Sequence, residues 1–120
     1  MRHAKRSFGP TLSSSGTTFR LWAPAATSVE VLADDTRLDM IRSTNGWFAA
    51  TVANARAGTR YRFRIDGELD VPDPASPYQP EDVSGRSQVI DHYAVCWRAE
   101  QWRRRPWHEA IFLECHVGTF

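Results

Sequence analysis

Residues 59–65 read TRYRFRI, with Arg60, Arg62 and Arg64 alternating with Tyr61, Phe63 and Ile65. On a helix these six side chains would scatter round the axis; on a strand the arginines share one face and the apolar residues the other. Such strict alternation belongs to a half-buried strand, with cations in water and aromatics against a core. A strand of this kind is unstable alone. The rest of the chain must supply a second layer for the Tyr61 face to pack on.

Similar short runs precede it. In TTFRLWAP, Phe19, Leu21 and Ala23 oppose Arg20 and Trp22 until Pro24 stops the pattern. SVEVLA sets Val29 and Val31 against Glu30, TRLDMI sets Leu38 and Met40 against Asp39, and WFAATV resumes after Gly46. The dipeptides Asn45-Gly46 and Asp66-Gly67, and Ala57-Gly58, punctuate these runs with residues that tolerate positive φ or break strands. No stretch shows a sustained helical period. The pattern predicts an all-β chain, an Ig-like antiparallel β-sandwich of the early-set type spanning residues 8–91, with SQVID as a last strand. At 120 residues the chain can bury a core without staples. Cys96 and Cys115 are therefore expected to be reduced and buried as small apolar side chains.

The text changes at Asp70. DVPDPASPYQPEDVSG, residues 70–85, carries Pro72, Pro74, Pro77 and Pro80, which restrict both themselves and their predecessors to extended shapes. A preorganised docking arm is the expectation, because a stiff loop loses little entropy on ordering. Its candidate interface residues are Asp73, Pro74, Ala75, Ser76, Tyr78, Gln79 and Pro80. Residues 92–109 then alternate tryptophan with arginine and read as a connector, with Trp102 and Trp107 as further interface candidates. Residues 110–120, AIFLECHVGTF, read as a strand apolar on both faces. The first seven residues are expected to be disordered. Their basic character is not followed by an apolar run, so a cytoplasmic, non-secreted protein is expected.

Charge and motif exclude several functions. A formal net charge of +1 offers no field for nucleic acid or an anionic membrane. Arg103, Arg104 and Arg105 beside Trp102 and Trp107 are read as a solvated connector. His108, Glu109, Glu114, Cys115 and His116 lack a second ligand pair at zinc spacing, so no metal or other cofactor is assigned. No carboxylate pair across a cleft can be inferred, so no catalytic residue is assigned. Trp47 and Trp22 remain as candidate carbohydrate contacts, since the apolar face of a glucose ring stacks on an indole.

The stretches FRLWAPAATSVEV, GWFAATV, AGTRYRFRIDGEL, VPDPASPYQPEDVSG and WHEAIFLECHVGTF together resemble the N-terminal end of the maltooligosyltrehalose trehalohydrolase family, in the α-amylase superfamily. The resemblance runs from about Phe8 to Phe120, and VPDPAS with QP and then HVGTF is its most specific part. It implies a non-catalytic N-terminal sandwich that packs on a (β/α)8 barrel, with HVGTF in the first barrel strand. It also implies a parent that hydrolyses the α-1,4 bond next to the terminal trehalose of maltooligosyltrehalose. The implied partners are that barrel and, as an alternative role, an α-glucan oligosaccharide. The corresponding domain of a glycogen branching or debranching enzyme is the neighbouring alternative. Two positions depart from the family pattern: Pro77 stands where a basic residue is expected, and Cys115 where a leucine is expected.

Overall fold

A computed structural model of the chain describes residues 8–96, 98–99 and 101–119. The expectations for residues 1–7, Trp97 and Phe120 lie outside the described residues. Among the described residues nine strands form: β1 (Thr11–Ser13), β2 (Gly16–Trp22), β3 (Val29–Ala33), β4 (Thr36–Asp39), β5 (Ile41–Arg42), β6 (Trp47–Val52), β7 (Arg60–Ile65), β8 (Leu69–Val71) and β9 (Ser87–Gln88). The first sheet runs β1-β2-β6-β5, and the second β4-β3-β7-β8, with β9 also on β7. All pairings are antiparallel, as the Ig-like sandwich requires.

The alternation read from the sequence decides what faces inward. Phe19, Leu21, Phe48, Ala50 and Val52 of the first sheet meet Val29, Val31, Ala33, Tyr61 and Phe63 of the second. Phe19 and Tyr61 lie at 4.6 Å between ring centroids across the layers, and Tyr61 meets Phe63 edge-on at 5.9 Å. The turn dipeptides act as expected: Asn45 and Gly46 have φ of 64° and 79°, Asp66 and Gly67 of 50° and 76°. Gly46 has a second reason to be glycine, because a Cβ there would stand 2.6 Å from Pro24 Cα.

Two expectations need correction. TRLDMI is not one strand. It divides at buried Met40, whose N–H bonds the Val29 carbonyl at 2.8 Å, so β4 stays in the second sheet while β5 crosses to the first. Cys96 and Cys115 are free but exposed, because the segment that carries them packs into no core. Residues 110–116 stand apart from the two sheets. A ladder needs a neighbour, and among the described residues none pairs with them, leaving Ile111, Phe112, Leu113 and Val117 in the open. Local turns flank this segment, a 3-10 turn at Trp107–Glu109 before it and a turn at residues 117–119 after it.

Candidate functional site

Strand register places Trp22 directly opposite Trp47 on the outer face of the first sheet. The two indoles differ in access. Trp22 is 59% exposed, and its Nε1–H donates to the Asn45 carbonyl at 2.9 Å, which holds the ring in place. Trp47 is half-buried, with the Arg20 guanidinium 4.8 Å from its centroid and the Phe8 ring 5.7 Å away at a 33° tilt. Of the two candidates for sugar contact, the open platform is therefore Trp22. The cation and the second ring occupy Trp47 instead.

The proline-rich excursion lies at the other sheet and is rooted by a buried polar cluster. Asp73 is 5% exposed; its Oδ2 accepts from the Tyr61 hydroxyl at 2.6 Å and its Oδ1 from the Ala75 N–H at 2.8 Å. The Asp73 N–H donates to Ser87 Oγ at 3.0 Å, tying the start of the excursion to the strand that receives its end. Burial pushes the Asp73 carboxyl above its ordinary value, although the bonds from Tyr61 and Ala75 oppose the shift. The Tyr61 phenol is likewise held well above its ordinary value, first by burial and then by the Asp73 charge. Asp73 thus braces the arm from beneath.

Pro74 and Tyr78 are the exposed members of the predicted arm, while Ala75, Ser76, Gln79 and Pro80 are half-buried. Gly9, at φ +81°, passes close under it, since a Cβ there would stand 3.0 Å from the Ala75 carbonyl oxygen. The Phe8–Gly9 pair consequently touches both Trp47 and the excursion, so sequence-distant candidate regions become neighbours. Trp102 and Trp107 stay apart from this site. Both are exposed, and the ring partner of Trp107 is Phe112 at 5.0 Å.

The outer face of the second sheet is chemically opposite to the first, and it holds residues that sequence reasoning missed. Arg64 grips Asp70 with two bonds of 2.6 and 3.0 Å, Arg62 reaches the same carboxylate at 2.9 Å, and Arg60 meets Glu81 at 2.6 Å. Arg64 chiefly holds the Asp70 carboxyl below its ordinary value. The alternation in TRYRFRI signalled that these arginines share a face. Their acidic partners follow only from the strand pairing. Among the described residues, no three of His, Cys, Asp and Glu gather where they could hold a metal ion. Among the same residues no helix is long and apolar enough to cross a membrane.

Comparison with known proteins bears on this arrangement. Residues 7–94 match the family described as carbohydrate-binding module 48 (isoamylase N-terminal domain). The malto-oligosyltrehalose trehalohydrolase of Saccharolobus solfataricus is 38% identical over 114 residues, covering 94% of this chain and 20% of the relative. That of Rhizobium sp. strain M-11 is 35% identical over 109 residues, covering 85% of this chain and 18% of the relative. A 1,4-alpha-glucan branching enzyme of Aliivibrio fischeri is more distant, at 29% identity over 88% of this chain and 17% of the enzyme. Among solved structures, a Salmonella typhimurium protein with a provisional alpha-amylase name superposes at TM-score 0.80 and 33% identity, over 90% of this chain and 19% of that one. The chain thus spans about a fifth of the length of the curated relatives it matches.

Proposed function

This chain belongs to the carbohydrate-binding module 48 family, the isoamylase N-terminal domains, and from that membership we propose a non-catalytic N-terminal domain of a trehalose-producing glycoside hydrolase. The observation that carries the reading is the pattern of coverage. Relatives named malto-oligosyltrehalose trehalohydrolase align with nearly all of this chain and with a fifth or less of themselves. On this reading the catalytic carboxylates belong to a barrel domain, and the chain packs against that barrel. The exposed side of the excursion, from Pro74 to Pro80, supplies one contact surface, rooted by Asp73 below. The uncovered Ile111, Phe112 and Leu113, with Trp102 and Trp107 before them, supply another. Large apolar side chains left open in sequence are costly unless another surface covers them.

The test compares this chain with the longer protein that contains it. The 120 residues alone are expected to release no trehalose from maltooligosyltrehalose, while the longer protein releases it. Trehalose release by the short chain would overturn the non-catalytic assignment. Formation of α-1,6 branches by the longer protein, without trehalose, would transfer the domain to a branching enzyme.

A second reading rests on the fixed, open Trp22 ring: the first sheet's outer face contacts an α-glucan. Titration with maltoheptaose is expected to quench tryptophan fluorescence saturably, and Trp22→Ala to remove most of the binding. Quenching that survives in Trp22→Ala would exclude this platform.

A further inference from the structure

The strand register leaves a gap beside Arg62. β8 ends with Val71 opposite Phe63, and β9 begins with Ser87 opposite Tyr61. Both run antiparallel to β7 along the same side, so they are two pieces of one strand position, and the excursion departs and returns between them. Among the described residues no residue of β8 or β9 pairs with Arg62. The gap opens onto a cleft of about 230 Å³ lined by Arg62, Asp70, Glu81, Ser84 and Arg86.

The walls of this cleft are braced before anything enters it. Gln79 Nε2 donates to the Val83 and Gly85 carbonyls at 3.0 and 3.4 Å. Ser84 N–H donates to Asp82 Oδ1 at 2.8 Å, Gly85 N–H to the Asp82 carbonyl at 3.1 Å, and the Arg60–Glu81 pair ties the far wall to β7. A cleft held this way loses little freedom when a ligand binds.

Its charged groups are unequally engaged. Asp70 is engaged by Arg64 and Arg62, and Glu81 by Arg60. Arg86 has no hydrogen-bonded or ion-paired partner among the described residues and acts on Asp70 only through its field. Arg62 Nε is buried without an acceptor among those residues. The cleft lining thus carries two carboxylates, Asp70 and Glu81, already engaged by Arg62, Arg64 and Arg60, while the Arg86 guanidinium in the same lining has no such bond among the described residues. The planar guanidinium fork matches an oxyanion.

We propose that this cleft is an oxyanion site in which Arg86, with Arg62 beside it, binds a phosphate-like or carboxylate group and the Ser84 hydroxyl adds a donor. Val71 and Pro72 also line it, and a lower local dielectric beside apolar side chains strengthens charged hydrogen bonds. Two sources present such a group: a free anion, or an acidic side chain from elsewhere in a longer protein. The site itself stands apart from the trehalohydrolase reading, since it rests only on this chain's geometry.

The test titrates inorganic phosphate into the 120-residue chain at constant ionic strength, with chloride as the control, and follows amide resonances by NMR. Saturable shifts are expected at Ser84, Gly85 and Arg86. Arg86→Gln should weaken binding by about tenfold or more, the loss expected for a charged hydrogen bond. The variant breaks no bond within the described fold, so the dispersed spectrum of the wild type should persist. Phosphate binding by both the chain and the longer protein assigns a free anion; binding by the chain alone assigns an internal acidic side chain. Absence of saturation, or saturation unchanged in Arg86→Gln, overturns the site.

Discussion

Phe19→Ala is expected to destabilise the chain by about 3–5 kcal/mol, the usual range for removing a fully buried phenylalanine. Phe19 has no exposed surface and lies at the centre of the interface between the sheets, 4.6 Å from the Tyr61 ring. Three terms combine. The removed ring loses its transfer free energy, the cavity cannot close because strands on both sides are hydrogen-bonded, and the aromatic pair is broken. A domain of this size has only about 5–15 kcal/mol of stability, so the variant should be close to unfolding at body temperature. Urea denaturation measures this as a lower midpoint at an unchanged slope. Ile41, 77% exposed at the outer end of the first sheet, is the control, and Ile41→Ala should change little. A loss below about 1 kcal/mol for Phe19→Ala would mean that the two layers do not pack as described.

The second large effect belongs to the root of the excursion and depends on pH. Tyr61→Phe keeps the ring and removes the hydroxyl that donates to Asp73, leaving a buried carboxylate oxygen without its partner. The expected cost at neutral pH is about 1–3 kcal/mol. The sign of the pH effect follows from the raised Asp73 value. As pH climbs past the ordinary aspartate value, about 3.9, the unfolded chain releases its proton first. This group's contribution to stability is therefore greatest in acid and falls as pH rises through the folded-state value. Removing the Tyr61 bond, which lowers that value, steepens the fall and carries it to higher pH. Asp73→Asn should flatten it, because nothing remains to ionise. Asp70 works in the opposite direction but is common to all three proteins and cancels in their differences. Urea midpoints at several pH values for wild type, Tyr61→Phe and Asp73→Asn decide the matter. An equal loss for Tyr61→Phe in acid and at neutrality would dismiss the coupling.

These effects also mark what could be read in advance. The inward residues of β2, β3, β6 and β7 were legible because period-2 alternation is local: each side chain's face follows from its immediate neighbours. The same holds for Asn45-Gly46 and Asp66-Gly67, where positive φ is a property of the residues themselves. What alternation does not carry is partnership. TRLDMI alternates only as far as Met40, where Ile41 adjoins it, but that the break is a change of sheet depends on β3 and β6. The excursion was visible through its prolines, but Asp73 looks like any loop aspartate until Tyr61 and Ser87 are brought beneath it. Trp22 and Trp47 were visible as aromatics. Which of them stays open depends on Phe8 and Arg20, contacts that no spacing rule announces. The oxyanion cleft was least legible of all, since it assembles β7, the end of β8 and the returning loop around a missing ladder position.

The divided strand has a consequence for the behaviour of many copies in one solution. A sheet margin with a long, flat row of free N–H and C=O groups is a template on which other chains can polymerise. Here that margin is Leu69–Val71, then a departure through four prolines, then Ser87–Gln88. Neither piece is long enough to seat an incoming strand, and the prolines between them cannot donate. At the opposite margin, β4 presents Arg37 and Asp39, whose charges an incoming strand would have to desolvate. The interruption that opens the cleft thereby also guards the second sheet against fibril-like stacking. Filling it with a continuous strand would close a candidate binding site and create an aggregation hazard in the same step.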